Sequence, residues 1–168
     1  MIAVSSIWQV DDAIRDFQIR HVISISDPNS IPPSIPNVST TNHLHVEFYD
    51  VTEETAHITA PRIEDIEAII SFGKNVIECG DPVLIHCVAG VSRSTAAGLI
   101  LASYLSTKEP VELVKLLRDK APYSQPNSLM IQLGDNALGL NGSLIGAVAT
   151  MPLPDQQVSP EPFVLNVI

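Results

Sequence analysis

Val83-Leu84-Ile85-His86-Cys87-Val88-Ala89-Gly90-Val91-Ser92-Arg93-Ser94 is the stretch around which this chain organises itself. A β-type run, Val83 to Ile85, enters a loop of small residues, and a helix-like run comes after it from Thr95 to Leu105. That order leaves backbone N–H groups unpaired and pointing into the loop, with the positive end of the helix dipole behind them. Such a loop cradles a tetrahedral dianion. Five residues separate Cys87 from Arg93, whose planar guanidinium can grip two oxygens of the anion at once. Cys87 lies at the base of the same electropositive bowl, where its thiolate is favoured. One loop therefore holds both a nucleophile and an oxyanion site.

Outward from the loop, short β runs and amphipathic runs alternate. Ile2-Ala3-Val4, Val22-Ile23-Ser24-Ile25 and Leu44 to Phe48 read as strands, and Val10 to Phe17 as a helix. Ile63, Ile66, Ile70 and Ile77 keep helical spacing behind Pro61. The fold class expected is α/β, three-layered, with a mostly parallel central sheet flanked by helices and a ligand at the strand carboxyl ends. Cys87 falls at such an end. Beyond the loop the chain reads as helical to about Thr150. Thr95 to Leu105 is apolar nearly all round, as a central buried helix would be. Pro110 opens the next, with Leu113, Val114, Leu116 and Leu117 on its buried face. Pro126-Asn127 starts another, with Leu129, Leu133 and Leu138 as its apolar face, and Leu144 to Ala149 forms a short last one. The expected organisation is one domain over residues 1–150 and a proline-rich tail over 151–168. Its apolar Phe163-Val164-Leu165 end can dock on the domain or on a partner.

His-Cys-x-Ala-Gly-x-Ser-Arg-Ser, residues 86–94, resembles the active-site loop of the cysteine-dependent protein tyrosine phosphatases, most closely the dual-specificity and bacterial tyrosine-phosphatase-like branches. The resemblance implies hydrolysis of phosphate monoesters on phosphotyrosine, and in a shallow site on phosphoserine or phosphothreonine, through a phosphocysteine intermediate. It implies that Cys87 attacks phosphorus while Arg93 and the loop residues Val88, Ala89, Gly90, Val91 and Ser92 hold the phosphoryl oxygens. By the same resemblance His86 supports the thiolate, and Ser94 donates to sulfur as it leaves. A thiolate expels an alkoxide or phenoxide poorly without a general acid. Phe48-Tyr49-Asp50-Val51 is similar to the segment that carries the family's acid, and Asp50 precedes Cys87 by 37 residues. Glu53 and Glu54, on the same polar loop, are the alternatives. Pro126-Asn127-Ser128-Leu129-Met130-Ile131-Gln132-Leu133 resembles the downstream segment whose asparagine fixes the shape of the catalytic loop. Asn127 and Gln132 hold the matching positions, while Leu129 or Met130 stands where phenylalanine is usual.

Two other functions use similar parts. A rhodanese-like sulfurtransferase also carries a cysteine in a strand-to-helix loop, though its loop is shorter before the basic position. A non-catalytic phospho-residue binding module would keep the cradle and dispense with the chemistry. Low-molecular-weight phosphatases share the cysteine-to-arginine spacing but carry it near the N-terminus, with the acid late in the chain.

Composition bounds the partners. Net charge is −10 over 168 residues, with no basic patch interleaved with aromatics, which excludes a nucleic-acid role. The expected partner is a phosphorylated protein or peptide, with no membrane segment and no cofactor. His43 and His45 alternate on a strand and His57 stands alone, so no metal site is expected. A nucleophilic thiol needs reducing surroundings, which makes the cytoplasm the expected compartment. Cys79 is the second cysteine and reads as a small residue ending a helix, with a regulatory disulfide to Cys87 as its sharper alternative. Asp27-Pro28-Asn29-Ser30-Ile31-Pro32-Pro33-Ser34-Ile35-Pro36 is stiff and irregular, a surface loop that can also shape substrate access.

Overall fold

Five strands form one sheet in the order β3-β2-β4-β1-β5. A computed structural model describes residues 1–30, 35–36 and 38–166; part of the proline-dense 27–36 loop thus lies outside the described residues. The strands are β1 (Ile2–Ser6), β2 (His21–Ser26), β3 (His43–Glu47), β4 (Val83–Cys87) and β5 (Phe163–Leu165). The helices are α1 (Val10–Phe17), α2 (Ile63–Glu78), α3 (Arg93–Leu105), α4 (Pro110–Lys120), α5 (Ser128–Leu138) and α6 (Ser143–Ala149). β1, β2, β3 and β4 pair in parallel, and β5 alone runs antiparallel, against β1. The expected three-layer α/β sheet is the observed architecture.

The period-two alternation of the strands divides the core in two. Ile2, Val4, Ile23, Ile25, Val83, Ile85 and Cys87 face the larger cluster, built with α2, α3, α4 and α5. Ala3, Val22 and Leu84 point the other way, onto Val10 and Ala13 of α1. Because α3 is buried continuously from Arg93 to Ala102, it needs apolar residues on every side. Gly73 of α2 and Gly134 of α5 allow the neighbours to close on it; a Cβ at these positions would collide with Leu101 and Ile100 respectively.

Two local expectations change, both in α5. α5 starts at Ser128, with Asn127 as its N-cap and Pro126 before the cap rather than in the first turn. Its most buried stripe is Met130, Ile131, Gly134 and Asp135, with Leu129, Leu133 and Leu138 only half-buried. The close approach at Gly134 sets the helix's phase, and the Asp135 carboxylate turns inward to accept the backbone N–H groups of Gly142 at 2.7 Å and Leu144 at 2.9 Å. In the proline-rich segment, Phe163–Leu165 docks on the domain as β5, burying Phe163 and Leu165 against β1. Hydrogen bonds lead the chain there. Tyr123 Oη donates to the Glu161 carbonyl at 2.7 Å and accepts the Glu161 N–H at 3.2 Å, and Gln9 Nε2 donates to the Pro160 carbonyl at 3.0 Å.

Candidate active site

β4 ends at Cys87 and α3 begins at Arg93, so the loop between them sits at the carboxyl edge of the sheet's central strand. Cys87 is 3% exposed. Its sulfur accepts the Gly90 N–H at 3.3 Å and lies 3.2 Å from Ser94 Oγ, a fully buried hydroxyl on the first turn of α3. Gly90 has φ +74°, and a Cβ there would meet the Ser6 nitrogen at 2.7 Å and the Ser5 carbonyl carbon at 2.9 Å. The position needs glycine twice over, for its left-handed conformation and for the close passage of β1.

Arg93 is buried at 4% exposure, yet only one edge of its guanidinium is engaged. Nη1 donates to the Phe48 carbonyl and to Asp27 Oδ1, both at 2.7 Å. Nε has no hydrogen-bond partner among the described residues. A buried donor without an acceptor costs about 1–3 kcal/mol, which an anion in the loop would recover. Asp27 did not stand out as a site residue in the sequence; it lies 66 positions before Arg93, and nothing local to it signals an arginine partner.

Asp50 arrives on the loop after β3. Its Oδ1 accepts from Ser92 Oγ and from Asn127 Nδ2, both at 2.8 Å, which hangs an exposed carboxylate over the loop's mouth. Glu54 instead pairs with Arg62 at 2.6 Å, on the exposed side of the same segment. Asn127 joins three elements. Its side chain also reaches the Val51 carbonyl at 3.2 Å and caps α5 by accepting Met130 N–H at 3.0 Å, while its backbone N–H donates to the Ser92 carbonyl at 3.4 Å. Gln132 is exposed on α5 and makes no side-chain hydrogen bond among the described residues.

His86 points to the opposite face of the sheet from Cys87, as strand alternation requires. Its Nε2 lies 2.6 Å from Ser24 Oγ on β2, which also lies 2.7 Å from His43 Nε2 on β3. One hydroxyl proton cannot serve both rings, so at least one imidazole donates its N–H to Ser24 Oγ. Ser26 and His45 make a parallel pair at 2.5 Å. Burial pushes His86 down to about 4, with the neighbouring His43 and His45 adding to the effect and the Cys87 backbone opposing it. His86 is accordingly a neutral ring at pH 7. Burial and the nearby His45 lower His43 as well.

Cys79 is exposed and ends α2, before the start of β4. β4 then spans roughly 13 Å to Cys87 at about 3.3 Å per residue, so the two thiols lie toward opposite edges of the sheet. Both thiols are free, Cys79 exposed and Cys87 buried, and a disulfide would need their Cα atoms within about 7 Å. Among the described residues no cluster of three metal-ligating side chains occurs, and no helix is long and apolar enough to cross a membrane.

Comparison with known proteins gives one consistent answer. The family described as "Dual specificity phosphatase, catalytic domain" matches residues 4–136. The chain is 22% identical over 120 residues to dual specificity protein phosphatase MPK-4 of Drosophila melanogaster, covering 70% of this chain and 28% of that one. It is 28% identical over 120 residues to dual specificity protein phosphatase YVH1 of Plasmodium falciparum (isolate 3D7), covering 64% and 19%. The chain thus spans a quarter or so of the length of these relatives. Among solved structures, the human tyrosine phosphatase-like serine/threonine/tyrosine-interacting protein superposes with a TM-score of 0.66 at 16% identity, over 83% of this chain and 92% of that one. DUSP15 superposes with a TM-score of 0.64 at 17% identity, over 90% and 92%. With its family match extending from β1 into α5, and so across the whole Cys87–Arg93 loop, this chain belongs to the dual-specificity phosphatase family.

Proposed function

We propose that the chain is a working protein phosphatase that hydrolyses phosphate monoesters on phosphotyrosine-bearing proteins, and on phosphoserine or phosphothreonine where the site admits them. The carrying observation is the juxtaposition of a buried thiol and a buried, half-satisfied arginine on one loop. In this reading the Cys87 thiolate attacks phosphorus as Asp50 gives its proton to the departing ester oxygen, so the leaving group departs neutral. Arg93 holds phosphoryl oxygens through Nε and its free edge, and the loop backbone over Val88 to Ser92 takes the remainder. Water, relieved of a proton by the Asp50 carboxylate, then attacks the phosphocysteine. The sulfur leaves toward Ser94 Oγ and the Gly90 N–H, which stand 3.2 and 3.3 Å away.

Asn127 acts through Asp50, setting its carboxylate above the loop; Gln132 is exposed and makes no side-chain hydrogen bond among the described residues. His86 acts through the strand, as a neutral ring fixed by Ser24. A protein substrate fits better than a highly charged lipid head group. PTPMT1, a fold neighbour with a TM-score of 0.65, was solved with PI(5)P. Here Val88, Ala89, Gly90 and Val91 bring no basic side chain to the loop. The thiolate chemistry makes the reducing cytoplasm its natural setting.

The test is hydrolysis of an aryl phosphate monoester under reducing conditions without added metal. The wild-type chain turns over, Cys87→Ser abolishes turnover, and Asp50→Asn lowers kcat by about 10²-fold or more. An inactive wild-type protein that still binds phosphopeptides would replace this reading with the binding-module one.

A further inference from the structure

Next to the phosphate loop the surface carries an apolar groove of about 310 Å³, lined by Ser6, Trp8, Gln9, Ala89 and Pro160. Trp8 is 76% exposed, so most of its indole contributes nothing to the core. Its mount is nonetheless rigid. Trp8 lies in the 3₁₀ turn Ile7–Gln9, whose Ile7 N–H donates to the Val88 carbonyl at 3.1 Å. The same turn comes directly after Ser6, whose backbone abuts Gly90. The backbone that carries the indole therefore has a fixed place relative to the phosphate loop. Ala89 belongs to both the loop and the groove, making the two surfaces continuous.

The chemistry of the walls narrows the occupant. Their polar groups are engaged with one another: Ser6 Oγ donates to Gln9 Oε1 at 2.7 Å, and Gln9 Nε2 donates to the Pro160 carbonyl at 3.0 Å. An indole, a methyl group and a proline ring are left facing outward. The overall charge of −10 opposes an acidic segment of substrate, so the contact that remains to be made here is apolar. We infer that this groove is a specificity site: it takes a bulky aliphatic side chain adjacent to the phosphorylated residue of a peptide substrate, with Trp8 as its platform. The inference rests on the phosphatase reading for what occupies the neighbouring loop. It adds the sequence context of the substrate.

The C-terminal segment thereby enters recognition. Pro160 reaches the groove because Tyr123 and Gln9 hold residues 160–161 and β5 anchors the chain immediately beyond them. One wall of the site is thus borrowed from the segment beyond the last helix.

Trp8 is the only tryptophan in the chain, so its fluorescence reports this groove alone. The experiment uses the Cys87→Ser protein, which removes turnover, and two phosphotyrosine peptides flanked on both sides by leucine or by alanine. The leucine peptide is expected to bind about tenfold more tightly and to shift the emission to the blue. The alanine peptide and inorganic phosphate should leave the emission maximum in place. Trp8→Ala in the same background should bring the two affinities within about twofold of each other, and Trp8→Phe should keep most of the preference. Equal affinities in the parent protein, or a preference that survives Trp8→Ala, would overturn the inference. A blue shift on concentrating the protein without peptide would assign the groove to a second copy and overturn it too. Turnover of the alanine peptide by the wild-type chain is measured separately; its absence would count against the phosphatase reading and leave the affinity comparison intact.

Discussion

His86 gives the site a measurable pH signature in stability. In the unfolded chain its imidazole titrates near 6.5, and in the fold burial lowers it to about 4. The folded-state value is the depressed one, so the unfolded chain takes up a proton that the native ring refuses. Stability is therefore complete above pH 6.5 and is lost as pH falls toward 4, levelling off below that. The proton linkage gives a loss of about 2 kcal/mol between pH 7.5 and 5, and about 3 kcal/mol by pH 4, at 1.36 kcal/mol per unit. Carboxylates titrate in the same range, so the wild-type curve alone does not isolate the ring. His86→Gln keeps a hydrogen-bonding side chain opposite Ser24 and removes the titration. Urea unfolding at half-unit steps from pH 7.5 to 4.5 would give both curves. The wild-type protein should fall more steeply than the variant, with a maximal difference near 1 kcal/mol per pH unit between pH 6 and 4.5. Parallel curves would refute the reasoning, because they would mean the ring is solvated well enough to charge in the native state.

The geometry sets outcomes at three further positions. Gly90→Ala should cost about 3 kcal/mol or more, combining the left-handed backbone with a backbone clash at Ser6, and thermal melting beside aryl phosphate kinetics would show stability and activity falling together. Asp27→Asn keeps an acceptor near Arg93 Nη1 but removes a charge from the anion's surroundings, so inorganic phosphate should inhibit about two- to threefold more tightly. Asp27→Ala loses the tether as well and should lower kcat by about tenfold; identical behaviour of the two variants would show that orientation of Arg93 does not depend on Asp27. Tyr123→Phe removes both hydrogen bonds to Glu161, so it should destabilise the domain by about 1–2 kcal/mol, read by urea unfolding, and raise amide exchange in Phe163–Leu165.

The parts of the fold legible in the sequence are those that short-range patterning controls. Val10 to Phe17 and Ile63 onward keep apolar spacing, and β4 with its loop carries strand, small residues and helix in immediate succession. The parts that could not be read depend on pairing across the sheet or on distant partners. Three residues of β5 in a proline-rich stretch form a strand because β1 has an open edge for them, and no local periodicity encodes that edge. Ser24, His43 and His86 look unrelated until the register places Ser24 opposite His86 on one side and His45 on the other. The same holds for Asp27, a carboxylate in a proline-rich loop until the fold delivers Arg93 to it. Asp50 differs from Glu53 and Glu54 in position rather than chemistry, and only the reach of Ser92 and Asn127 separates them.

The Cys87–Arg93 loop is pinned from both sides by main chain. Ile7 N–H holds Val88, the Gln125 N–H holds the Val91 carbonyl at 2.9 Å, and Gly90 lies against Ser5 and Ser6. Those anchors come from the turn and strand at the chain's start and from the segment leading into α5, both built into the packed domain, so the loop cannot release them without disturbing its neighbours. Its local opening and the unfolding of the domain then become one event. In hydrogen exchange, the amides of Ile7 and Gln125 should exchange as slowly as the core of β4, in the free protein as much as with anion bound. A thiol guarded in this way meets small oxidants and alkylating agents only through the mouth beneath Asp50, never through fluctuations of the loop that carries it.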